Sequence, residues 1–103
     1  MSFIICYITV SDEKEALKIV NHLVEKRIVA CGNIFPIKSA FWWKGEIKNT
    51  DEFVTIVKTK EENWEKVKEE VKKIHSYDVP CIMKIKVEAN EDYEKWLNGE
   101  VGK

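Results

Sequence analysis

Two histidines, three cysteines and a dense set of carboxylates are the side chains here able to hold a metal or move a proton. His75 closes a helical stretch and opens Ile74-His75-Ser76-Tyr77-Asp78-Val79-Pro80. An imidazole at that point suits two roles: a metal ligand, or a solvated ring favoured by the negative end of the helix dipole. His22 sits with Lys18 and Lys26 one turn away on either side, which places it on a surface. Cys6, Cys31 and Cys81 lie 25 and 50 residues apart, with no CxxC and no histidine at finger-like spacing. That pattern encodes neither a disulfide framework nor a structural zinc site, and free, mostly buried thiols are expected. Cys31, next to Gly32, has no sequence neighbour that would lower its pKa and reads as a small apolar strand residue. Glu62, Glu65, Glu69 and Glu70 interleave with Lys66, Lys68, Lys72 and Lys73, the pairing of a solvated helix. There is no GxSxG, no HExxH and no glycine-rich phosphate loop, and four glycines leave little material for one. Neither catalytic turnover nor an organic cofactor is expected.

The chain that must position these groups has 103 residues, 45% of them hydrophobic, with 17 basic and 18 acidic side chains and a net charge of −1. One domain over 1–103 is expected, with no basic excess for nucleic acid. The longest apolar run, Phe3 to Val10, is far short of the roughly 20 residues that span a bilayer. Together with the absence of a basic n-region and cleavage site, this predicts a cytoplasmic protein with no membrane partner. The 16 lysines against a single arginine, and the absence of glutamine, point to a thermophilic source.

Phe3-Ile-Ile-Cys-Tyr-Ile-Thr-Val10 is rich in β-branched and aromatic residues and reads as a strand buried on both faces. Ser11 or Asp12 can cap a helix over residues 12–27, whose stripe is Ala16, Val20, Leu23 and Val24. From Val29 to Thr59 the pattern is strand-like, with Pro36 marking an edge or bulge and Lys44-Gly45 a tight hairpin turn. Each arm runs about a dozen residues, well beyond the usual five or six. Thr59-Lys-Glu-Glu62 has the form of a capping box for a helix over about 60–74 with Trp64, Val67, Val71 and Ile74 inward. Cys81, Met83, Ile85 and Val87 alternate with Ile82, Lys84, Lys86 and Glu88, predicting a strand with one face buried. Asn90 caps a short last helix bearing Tyr93, Trp96 and Leu97 and stopped near Gly99. The order predicts an α+β, ferredoxin-like split βαβ sandwich: an antiparallel sheet with a long hairpin between the second and third strands and a short C-terminal helix.

Such a sheet, covered by helices on one side, leaves the other open. Phe41-Trp42-Trp43 loads both faces of the hairpin, and each ring can bury about 150–250 Å². Two arrangements would cover that surface: self-association closed by symmetry, which the long ribbon favours, or the last helix and a bent hairpin folding over it.

Arg27-Ile-Val-Ala-Cys-Gly-Asn33, Phe41-Trp-Trp-Lys-Gly-Glu46, Lys58-Thr59, Tyr77-x-x-Pro80 and Asp92-Tyr93-x-x-Trp96-Leu97 together resemble the divalent-cation tolerance protein family CutA, in order and spacing, over essentially the whole chain. The resemblance implies a cytoplasmic homotrimer of ferredoxin-like subunits, with Phe41, Trp42 and Trp43 in the trimer interface. It further implies a part in divalent metal tolerance and the response to metal ions, with binding of Cu(II) or another divalent cation. Metal-binding members can carry a Cys late in the first strand and a His pair before Tyr-x-x-Pro; Ile8 and Ile74-His75 stand there instead, leaving His75 as the metal candidate. The family pattern also draws Trp43, Lys58, Tyr77 and Tyr93 toward an inter-subunit cleft. The alternative is a PII-like trimeric signalling module with a small effector in such clefts, although the long exposed loop of those proteins is missing.

Overall fold

The structure, a computed structural model, describes residues 3–102 as β1 (Phe3–Val10), α1 (Glu13–Glu25), β2 (Cys31–Trp43), β3 (Glu46–Thr59), a 3-10 turn (Glu61–Asn63), α2 (Trp64–Ile74), β4 (Ile82–Val87) and α3 (Glu91–Glu100). Residues 1, 2 and 103 of the expected domain lie outside the described residues. The strands form one antiparallel sheet in the order β2-β3-β1-β4, the α+β arrangement expected from the sequence. Ile4, Cys6, Ile8 and Val10 of β1 share one core with Ala16, Ile19, Val20 and Leu23 of α1 and Val67 and Val71 of α2. Each fully buried aliphatic side chain in that layer stabilises the fold by about 1.5–3 kcal/mol.

Asp12 caps α1 by accepting the Glu15 N–H at 2.8 Å. Glu15 in turn accepts the N–H and hydroxyl of Ser11 at 3.0 and 2.9 Å and those of Ser76 at 2.7 and 3.0 Å. Burial opposes ionisation of Glu15, but these donors outweigh it and hold the carboxyl down at about 2. At the other end Arg27 N–H and Ile28 N–H bond the carbonyls of Val24 and Leu23, the double closure of a Schellman motif. Arg27 takes the left-handed conformation usually given to glycine, at φ 60°, and its guanidinium is held by Glu100 at 2.7 Å.

The second helix begins differently from expectation. Thr59 is the last residue of β3, fully buried, and its hydroxyl donates to the Ile28 carbonyl at 2.5 Å rather than capping a helix. A buried carbonyl left unpaired is more costly than N–H groups near water. Asn63 occupies the N-cap position of α2 after the 3-10 turn, and its amide also donates to Ile28 O at 2.9 Å.

The ribbon turns at Lys44 and Gly45, both at positive φ (52° and 80°), the pairing that matches strand twist in a two-residue hairpin. Its arms of 13 and 14 residues draw the subunit out to 45 × 24 × 21 Å. Two expectations need correction at the C-terminal end. Cys81 lies just before β4, and the alternating apolar set of that strand is not buried: Met83 and Ile85 are 48% and 51% exposed. Those two project from the side of the sheet that α1 and α2 leave bare. The last helix runs through Gly99 to Glu100; its Leu97, with Val101, packs on Phe3 and reaches Ile5, Ala30 and Val87. It therefore covers the base of the open side and leaves the ribbon bare.

Candidate functional site

Partners in an antiparallel ladder point to the same side, so the register defines the open face. It carries Cys31, Phe35, Ile37, Phe41 and Trp43 from β2, and Glu52, Val54, Ile56 and Lys58 from β3. Tyr7 and Thr9 of β1 and Met83 of β4 continue it. Of the expected interface aromatics, Phe41 and Trp43 stand on this face. Trp42, 71% exposed, points the opposite way beside Ile47.

Two clusters of side chains occupy the face. At its base the Lys58 ammonium lies 5.4 Å from the centre of the Tyr93 ring, and Cys31 Sγ is 3.1 Å from the Tyr93 hydroxyl. Burial, then the bond to Cys31, pushes the Tyr93 phenol up to about 12, so it stays protonated at neutral pH. Farther along, the Tyr77 hydroxyl donates to Glu52 Oε2 at 2.6 Å. Burial, followed by the bond to Glu52, raises the Tyr77 phenol well above its ordinary range. Glu52 is buried, yet its position two residues before Val54 gives it the parity of the open face. A groove of about 1210 Å³ runs from this pair along the ribbon, lined by Tyr7, Thr9, Phe41, Trp43, Tyr77 and Cys81 among others.

The four cleft candidates thus separate into two pairs within one chain: Trp43 and Tyr77 line the groove, while Lys58 and Tyr93 meet at the base. His75 sits under the loop that carries Tyr77, with its side chain fully buried. Its Nε2 donates to the Thr9 carbonyl at 2.7 Å and its Nδ1 accepts the Tyr77 N–H at 3.0 Å, which fixes the neutral tautomer in this arrangement. Both ring nitrogens are engaged, so a cation at His75 would have to displace one of these bonds. Among the described residues no three His, Cys, Asp or Glu side chains come together to hold a metal. The thiols are equally unprepared: burial, against a smaller opposing pull from Lys84, pushes Cys6 up to about 12. Burial and then the Glu52 charge raise Cys81. The described residues of a single subunit do not offer a divalent cation a closed ligand set.

Sequence reasoning passed over Glu52, and it also assigned Glu70 and His22 to a solvated surface. Glu70 is buried between the two main helices, taking His22 Nε2 at 2.9 Å, Lys26 at 3.2 Å and Lys73 at 2.9 Å. Its spacing of three from Val67 and four from Ile74 puts it on the flank of the buried stripe, a signal visible in the sequence.

The family model described as CutA1 divalent ion tolerance protein matches residues 4–100. The divalent-cation tolerance protein CutA of Pyrococcus horikoshii is 44% identical over 101 residues, covering 97% of this chain and 99% of its own. A crystal structure of CutA1 from that organism superposes with a TM-score of 0.93, at 44% identity over 97% of this chain and 99% of that one. The CutA of Archaeoglobus fulgidus is 46% identical over 96 residues, 92% of this chain and 94% of its own, and its solved structure is described as that of a periplasmic protein. Rice CutA1 superposes at a TM-score of 0.94 with 30% identity, over 98% of this chain and 94% of that one, and a rice relative is named chloroplastic. Fold and sequence agree, and this chain belongs to the CutA1 divalent ion tolerance family.

Proposed function

We propose that the protein is a homotrimeric, non-catalytic binding protein of the divalent-cation response, whose subunits bury one another's ribbons. The observation that carries this reading is the bare ribbon: residues 40–51 are all exposed, and Phe41, Trp42 and Trp43 are among them. The three rings are 41%, 71% and 37% exposed, so they present only part of the about 150–250 Å² that each can bury. The other exposed side chains of both arms supply the rest of the roughly 800 Å² per partner of a stable interface. Light scattering at micromolar concentration is expected to give three times 12.1 kDa. A folded single-chain particle would sink the reading.

The cation proposed is Cu(II), held by donors from more than one subunit, because the described residues of one chain gather no closed set. Copper titration of the assembled protein is expected to show saturable binding that is lost when Trp43→Ala breaks the assembly. His75→Ala binding like the parent removes His75 from the ligands; lost binding in a folded variant keeps it among them. Equal binding by dissociated chains would overturn the shared site.

A second reading, a small effector held between subunits, is favoured by the groove of about 1210 Å³ beside Tyr77. A ligand at 100 times its dissociation constant adds about 2.7 kcal/mol, so a thermal-shift screen of nucleotides and metabolites reads it directly. The proposed location is the cytoplasm; among the described residues no helix is long and apolar enough to cross a membrane. Fractionation of the source cells tests it. A thermophilic source, supported by the lysine-rich composition, predicts a melting temperature above the mesophile range of about 45–65 °C.

A further inference from the structure

Among the described residues, neither Glu52 nor Lys58 has a charge partner within the subunit. Glu52 is 5% exposed, and the bond it receives is from a neutral phenol, Tyr77, at 2.6 Å. Among the described residues no Lys, Arg or His nitrogen stands within ion-pair distance of it. Lys58 is half-buried against the Tyr93 ring and, among the described residues, reaches no carboxylate. Other lysines of the sheet are paired: Lys48, on the same face, lies 3.9 Å from Glu46, and Lys84 and Lys86, on the other, are each 3.4 Å from Glu61. Among the described residues the open face therefore holds an uncompensated anion, Glu52, and an uncompensated cation, Lys58, although buried charges are normally paired.

The two cannot meet within a subunit. They lie on the same side of β3 but six positions apart, about 20 Å along a strand. A second copy can bring them together. We infer that in the assembly Glu52 of one subunit pairs with Lys58 of the partner subunit. The cleft between subunits is then composite: Glu52 and Tyr77 form one wall, and Lys58 of the partner subunit completes it. The contact is heterologous, since each chain gives its carboxylate to one neighbour and its ammonium to another, and such contacts close into a ring when the rotation between neighbours fits. This inference rests on the homo-oligomer proposed above, and it names the residue pair that completes the site.

The test is a double-mutant cycle on assembly, read by light scattering over a dilution series in increasing guanidinium chloride. Glu52→Gln and Lys58→Met are each expected to raise the half-dissociation concentration at least tenfold, because each leaves the opposite charge buried and unpaired. The double variant is expected to dissociate no more readily than the worse single one. The exchanged pair Glu52→Lys with Lys58→Glu should assemble more tightly than either reversal alone; if the reversals do not fold by circular dichroism, the neutral cycle decides. Additive losses in the neutral cycle, or parent-like assembly of both singles, overturn the pair and leave the oligomer standing. A monomeric parent protein overturns both.

Discussion

Glu70 Oε1 lies 2.9 Å from His22 Nε2, joining α2 to α1 across 48 residues of sequence. The same carboxylate takes Lys26 and Lys73, so three nitrogen donors converge on one side chain between the helices. Bonds from Lys73, then His22 and Lys26, hold its carboxyl down at about 2. A depressed carboxylate contributes stability that is full above its unfolded value of about 4.3 and fades as pH falls through the folded value. Melting temperature should therefore decline between about pH 5 and pH 2. Glu70→Gln should lower it by about 5 °C at pH 7 and converge with the parent near pH 2; a constant offset across that range would count against the linkage. Glu15, also held at about 2, should contribute in the same window and be resolved by Glu15→Gln.

Gly32 owes its identity to space. A Cβ built there stands 2.8 Å from Val20 Cγ1 and 3.2 Å from Val57 Cγ1, so α1 rests directly on the β2 backbone. Gly32→Ala should destabilise by about 1–3 kcal/mol in urea titration. Adding Val20→Ala should recover part of that loss, and no recovery would place the strain elsewhere.

Thr55 has a fully buried hydroxyl without a hydrogen-bond partner, between Ile8 and Ile34 in the sheet register. Thr55→Val removes that unsatisfied group at nearly constant shape. The expected outcome is unchanged or increased stability, by up to about 1 kcal/mol, and a clear loss in urea titration would mean that the hydroxyl is bonded in solution.

Cys6 is fully buried and its thiol is pushed up to about 12. The thiolate is the reactive form, so in a variant carrying Cys31→Ser and Cys81→Ser the remaining thiol should resist a disulfide reagent at pH 8. Full labelling is expected only after unfolding. Rapid reaction of the native protein would show that β1 opens.

The elements were legible because each shows its own period. Phe3–Val10, the Lys44-Gly45 turn and the buried stripes of α1 and α2 follow from side-chain spacing alone. What escaped depends on partners far away in sequence. Thr59 looks like a helix cap until the Ile28 carbonyl, 31 residues back, claims its hydroxyl. Glu52 looks like one more surface carboxylate until Tyr77, 25 residues on, bonds to it. Met83 and Ile85 look buried in the sequence because alternation reports which residues share a side, not what lies against that side.

From residue 40 to 51 the ribbon is entirely exposed, beyond the sandwich formed by the rest of the chain. Within one subunit no core packing constrains the amino acids there. Removing two successive facing pairs, two residues from each arm, would keep the ladder's alternation and leave the hydrophobic layer untouched, so ribbon length can change in steps of two without unfolding the sandwich. In the proposed homo-oligomer it is the neighbouring copies, rather than the subunit's own stability, that set how long the ribbon must be and which side chains it displays.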